Sequence, residues 1–200
     1  MKKLFIILSV FLSGTSLNAQ IILSDIEDIN YPEAGVYYKD VNHILDPFVG
    51  TWLYTNGNTS FKIVLEKMEH SSASNGIFFE DLLIGAYRYV ENGVEKVNTL
   101  NDLQINYSDG RKYPINSGAI MTGKTLGQTD VLPNEKWIYG SIKDPVSGSI
   151  DRIFIKGTTV NGQEAIKISI YHHIQVRHVN DPIPPPISYP LSTELVLIKQ

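Results

Sequence analysis

The chain has 200 residues, 42% of them hydrophobic and 19% charged, the composition of an ordinary globular domain. Its net charge is −4, with 17 Lys+Arg against 21 Asp+Glu and no basic run, which argues against nucleic acid or an anionic lipid surface as the main partner. It has no cysteine, which excludes disulfides, thiolate metal sites, a Cys nucleophile and anchoring through a lipidated Cys.

Residues 1–19 have a basic start at Lys2 and Lys3, an apolar run from Leu4 to Leu12 and a polar stretch ending in the small Ala19. That pattern is a secretory signal peptide, with an apolar part too short to span a bilayer as a stable helix. Its removal leaves 15 Lys+Arg against 21 Asp+Glu, a net charge of −6. No later stretch is apolar for long enough to form a transmembrane helix. Export without disulfides points to the periplasm, cell envelope or surroundings of a Gram-negative bacterium. Residues 20–41 read as an extended N-terminal arm. Its acidic residues Asp25, Glu27 and Asp28 lack the regular spacing around a glycine that a calcium loop needs, and are expected to be solvated.

Residues 42–200 read as a single β-domain. At its start Phe48 and Val49 close a short apolar turn, Gly50 allows a tight bend, and Trp52 opens a strand where a large ring can cover one end of a core. Helix is expected to be minor, a turn or two around Val41 to Leu45. Strands are expected over Thr59 to Met68, Ile77 to Val90, Val94 to Leu100, Lys136 to Ile142, Ser149 to Lys156, Glu164 to His172 and Thr193 to Ile198. Phe61, Ile63 and Leu65 alternate with Lys62, Val64 and Glu66, and Ile166, Ile168 and Ile170 alternate with Lys167, Ser169 and Tyr171. Such alternation means one buried face and one wet face. Asn56-Gly57, Asn92-Gly93, Asp109-Gly110, Ser147-Gly148 and Asn161-Gly162 mark hairpin turns. Successive hairpins predict an all-β antiparallel meander closed into a β-barrel, which removes exposed edges, with a β-sandwich as the alternative. Ser108 to Pro133 reads as loops around one short strand, and the proline-rich Asn180 to Pro190 as a stiff connector before the last strand.

Several motifs resemble chemistry. Gly118 to Thr125 matches the phosphate-binding P-loop letter for letter, but Gly127 and Pro133 follow where a helix should receive the phosphates. His172, His173 and His178 form the densest group of possible metal or acid-base side chains. In a strand His172 and His173 face opposite ways, which leaves His173 and His178 as the pair able to approach across a bend. His43 and His70 stand alone. No Gly-x-Ser-x-Gly elbow occurs, and adjacent carboxylates such as Glu80 and Asp81 alternate across a strand. Eleven tyrosines and two tryptophans could stack on sugars, although aromatic strands are commonly just well-packed strands.

Leu45-Asp46-Pro47-Phe48-Val49-Gly50-Thr51-Trp52 resembles the first signature of lipocalins and related calycin barrels, in which a Trp plugs the closed end. That resemblance implies a late-strand Arg over the ring, with Arg152 and Arg177 as candidates; the second signature, Thr-Asp-Tyr, is absent. A more extensive likeness runs through Asp46-Pro47-Phe48-Val49-Gly50-Thr51-Trp52-Leu53-Tyr54-Thr55-Asn56-Gly57, Glu80-Asp81-Leu82-Leu83-Ile84-Gly85, Tyr89-Val90-Glu91-Asn92-Gly93-Val94-Glu95-Lys96, Val160-Asn161-Gly162-Gln163-Glu164-Ala165-Ile166-Lys167 and Leu197-Ile198-Lys199-Gln200. In these segments the chain resembles secreted bacterial proteins of the domain of unknown function numbered 6705. The resemblance implies no activity, so no functional residue carries over from it.

Three functions follow as expectations. The first is a non-catalytic binding protein for a small apolar or amphipathic ligand or for an envelope partner, since barrel mouths form concave apolar pockets. The second is a hydrolytic or metal-assisted enzyme using His172, His173 or His178 with a carboxylate. The third is a structural envelope protein that acts through its surface. No cofactor is expected for the first.

Overall fold

A computed structural model describes residues 20–23, 33–122, 135–172, 183, 185–191 and 194–200. The strands are β1 Gln20–Ile22, β2 Tyr37–Lys39, β3 Gly50–Asn56, β4 Thr59–Ala73, β5 Phe78–Glu91, β6 Val94–Asn98, β7 Ile115–Thr122, β8 Lys136–Lys143, β9 Ile150–Val160, β10 Gln163–Tyr171 and β11 Leu195–Lys199. Among the described residues helix is confined to short 3-10 turns at Asp46–Phe48, Ser74–Gly76, Leu100–Gln104 and Gly110–Lys112. No helix among them is long and apolar enough to cross a membrane.

Strand order shows a closed antiparallel barrel. β5, β4, β3, β11, β10, β9, β8 and β7 pair in that order, and β7 returns to β5 through Leu83↔Ser117, Ile84↔Asn116 and Gly85↔Ile115. A ring of paired strands leaves no second sheet to stack, so the sandwich alternative is set aside. Alternation does the sorting: Phe61, Ile63 and Leu65 of β4 are fully buried, as are Ile166, Ile168 and Ile170 of β10 to within 1%. These chains, with Leu83, Tyr87, Ile115, Ile138, Ile153 and Ile155, form one continuous cluster that fills the barrel.

Asn92 and Gly93, like Asn161 and Gly162, both take positive φ, the backbone of a two-residue hairpin turn. Asp109-Gly110 is different. Asp109 accepts a hydrogen bond from the Arg111 amide and starts a 3-10 turn. A Cβ on Gly110 would lie 2.9 Å from Leu82 Cδ1, so this glycine serves close packing rather than a hairpin.

Before the barrel, the helical turn expected around Val41 to Leu45 lies later, at Asp46–Phe48. The buried Asp40 carboxylate accepts from the Ile44 and Leu45 amides and pairs with Lys67 at 2.9 Å, which holds residues 40–45 in a capped turn. Pro47 then stands in the first turn of the 3-10 segment, where its missing amide costs nothing. Phe48 is buried, and its carbonyl accepts from the Trp52 indole at 2.8 Å. Trp52 is 1% exposed. The cation over its ring is Lys199, 5.3 Å from the centroid, whose stem passes Gly50 so closely that a Cβ there would meet Cε at 3.2 Å. Arg152, the sequence-based candidate for that place, points outward from β9, and Arg177 lies outside the described residues.

Candidate functional site

β5 is long, and its edge away from β4 is shared. β6 pairs with its end at Arg88 to Glu91, β7 with Leu83 to Gly85, and β2, running parallel, with Phe79 and Glu80. β7 continues from Gly118 to Thr122 without β5 as a partner, so β7 and β2 diverge from one strand like the arms of a fork. The divergence is prepared by a bulge: Asn116 pairs with Ser141 but Ala119 with Tyr139, one extra residue on β7. At the fork lies a groove of about 620 Å³. Leu23, Tyr38, Phe78 and Leu82 line its apolar part, and Gly118 and Gly140 keep its walls bare.

The polar part is set by register. Asn116, Ser141 and Arg152 are cross-strand partners on the outward faces of β7, β8 and β9, and all three line the groove. Ser141 Oγ donates to Asn116 Oδ1 at 3.1 Å, and the Asn116 amide reaches the Arg111 and Tyr113 carbonyls. Arg111 extends from the 3-10 turn, lies 5.0 Å from the Phe78 ring centroid and pairs with Glu80 at 2.7 Å. Burial pushes the Glu80 carboxyl above its ordinary range, against the opposing pull of that guanidinium. Asp81, its neighbour, has a different task. It is buried and accepts from the Tyr37 hydroxyl and the Asp40 and His70 amides, tying β2 to β5 at the bulge in β4.

A second cluster sits where β9 begins and β10 ends. The Asp151 carboxylate is fully buried and accepts from Tyr189 at 2.7 Å and Ser149 at 3.0 Å, with His172 Nδ1 at 2.8 Å. In a hydrolytic triad the carboxylate holds one ring nitrogen and the hydroxyl the other. Here Ser149 and Asp151 both approach Nδ1, and the serine proton goes to the carboxylate, so this cluster anchors rather than activates. Its object is the segment before β11, where Tyr189 enters the core edge-on to Tyr87 and Ser188 binds Asp144 through both amide and hydroxyl.

Burial would by itself raise the Asp144 carboxyl, but hydrogen bonds from Ser188, Val146 and Ser147 outweigh it and hold the carboxyl below its ordinary range. A depressed native value stabilises the fold above the unfolded value and ceases to do so as pH falls through the native one. Asp144→Asn is therefore expected to lower stability by about 2 kcal/mol at pH 7. Urea titrations at successive pH should show that deficit shrinking below about pH 4. A deficit that grows in acid would refute the assignment.

His173 and His178 lie outside the described residues, as do Gly123, Lys124 and Thr125 of the P-loop-like sequence, whose first five residues are the end of β7. His43 is exposed and bonds Asp46, while His70 stacks on Phe79 at 4.1 Å. Among the described residues no group of three or more His, Asp or Glu side chains is placed to hold a metal ion. Sequence reasoning missed Glu80, Arg111, Asp144 and Tyr189 as site or anchor residues. Acidic residues within apolar strands were the available hint.

No curated protein and no solved structure matches the chain. One family model does, over residues 1–200, and its span takes in the barrel, the fork and both carboxylate clusters. The chain belongs to the family of unknown function DUF6705.

Proposed function

We propose that the protein is a non-catalytic binding protein that holds a small amphipathic ligand in the groove at the fork, on the wall of the barrel rather than within it. The observation that carries this reading is the groove itself, a concavity of about 620 Å³ with an apolar floor and a few convergent polar groups. That is the anatomy of small-molecule sites. The barrel interior, the usual place for a ligand in this architecture, is occupied by the protein's own side chains. In an exported chain the ligand would come from the cell envelope or its surroundings.

Native and denaturing mass spectrometry of the protein purified from its own secreting cells should show an added stoichiometric mass that disappears on denaturation. Ala119→Trp, which plants a ring in the groove from a half-buried position, should abolish that mass while leaving the unfolding free energy within about 1 kcal/mol of wild type. An added mass that survives the tryptophan would place the ligand elsewhere. No added mass, with no uptake of an amphiphile such as dodecanol, would leave the groove without a small-molecule role.

A further inference from the structure

Resting on that reading, we infer that the ligand is an anion: an apolar body carrying one carboxylate head, which the row Asn116, Ser141, Arg152 and the neighbouring Arg111 receive. Charge at the polar end of the groove is unevenly compensated. Arg152 is exposed and makes no ion pair among the described residues. Arg111 gives one terminal nitrogen to Glu80 and keeps its other guanidinium donors free of protein acceptors among the described residues. Lys143, the next outward residue on β8 after Ser141, bonds the Arg111 carbonyl and has no carboxylate at ion-pair distance among the described residues.

The acids nearby are turned to other partners than Arg152. Glu80 is spent on Arg111, Asp109 accepts from the Arg111 amide, and the Asp151 side chain is turned inward to Tyr189, Ser149 and His172. Arg111, Arg152 and Lys143 thus stand around the neutral side chains of Asn116 and Ser141, with Glu80 the one carboxylate ion-paired to any of them among the described residues. A planar guanidinium with free donors matches a carboxylate, and a hydroxyl beside it can add a third bond.

The apolar end is placed to take the body of the same molecule. Asn116 pairs with Ile84, and the outward side chains below it on β5 are Leu82, Glu80 and then Phe78. Successive outward positions on a strand are about 7 Å apart. A head on the Arg152 row therefore directs its chain along Leu82 toward Phe78 and Tyr38. Arg111 covers Phe78 and closes one side of that path.

The test compares dodecanoate, dodecanol and dodecyltrimethylammonium at submicellar concentration by isothermal titration of the full exported chain. These probes share a tail and differ in head charge. Dodecanoate is expected to bind at least about tenfold more tightly than dodecanol, and the cation least tightly. Arg152→Ala should abolish the advantage of dodecanoate over dodecanol, Arg152→Lys should restore part of it, and added salt should reduce it. Equal binding of dodecanoate and dodecanol, insensitive to Arg152→Ala, would overturn the anion assignment and leave the groove as a site. Tightest binding of the cation would overturn it also. If none of the three binds, the groove reading falls and this inference with it.

Discussion

Gly140→Ala is expected to destabilise the protein by about 3 kcal/mol, the upper range for forcing one extra methyl group into packed surroundings. A Cβ at residue 140 would stand 2.2 Å from the Asn116 carbonyl oxygen, 2.5 Å from Ser117 Cβ and 2.8 Å from Ser117 Cα. Two of those atoms are backbone, so no rotamer change relieves the clash. The strand carrying them is held on its other side by its three-residue pairing with β5. Moving β7 away from β8 therefore strains the pairing that closes the barrel and shapes the groove. For a chain of this size the loss corresponds to a melting temperature lower by about 6–12 °C. Gly157→Ala is the control. No atom lies within 4 Å of its added Cβ, and alanine there should change stability by no more than about 0.5 kcal/mol. Urea unfolding of the two variants side by side decides the matter: similar midpoints would mean that β7 and β8 do not approach as closely as the bulge requires.

Asp151→Ala should be nearly as damaging, with an expected loss of about 3 kcal/mol. Among the described residues the substitution takes an acceptor from three groups, Tyr189, Ser149 and His172. Tyr189, 3% exposed, is the most costly of them, because burial and then the carboxylate itself push its hydroxyl far above the ordinary range and keep it a donor. Its remaining acceptor is the Ile142 carbonyl at 3.4 Å, a long contact. Asp151→Asn keeps a carbonyl oxygen for that hydroxyl and should cost about 1 kcal/mol. His172→Ala should cost less than about 1 kcal/mol, since its ring is 40% exposed and water replaces the lost bond. Denaturant midpoints of the three variants test the ordering. If the alanine at 151 is as mild as the one at 172, the cluster does not anchor the segment before β11.

Legibility from sequence varied with the distance over which each feature is decided. Alternation in β4 and β10 involves adjacent residues only, and the strands appear where alternation places them. Asn92-Gly93 and Asn161-Gly162 are turns for an equally local reason, as each residue tolerates positive φ. Asp109-Gly110 is a similar dipeptide with a different outcome, because Leu82 and Met68, both distant in sequence, pack against Gly110. The same limit applies to cations over rings. Lys199 rather than Arg152 covers Trp52, since β11 pairs with β3 while the side chain of Arg152 faces outward from β9. His172 was visible as a histidine, but its partner Asp151, 21 residues away, was not, nor was Tyr189, 38 residues from the Asp151 carboxylate to which it donates.

What the sequence determined by itself is the strand content, the hairpin turns, the buried face of the strands and the absence of cysteine chemistry. Each depends on the residue or its immediate neighbours, where backbone sterics and a period of two suffice. Tertiary structure alone decided that the barrel closes through β5 and β7, that its interior is filled, and that the concave site lies at the fork. Those outcomes hang on register. The extra residue in β7 sets which side chains stand across from β8, and a shift of one residue would turn Asn116 inward and separate it from Ser141 and Arg152. Long-range pairing energies choose that register, and they are not carried by any short stretch of the chain.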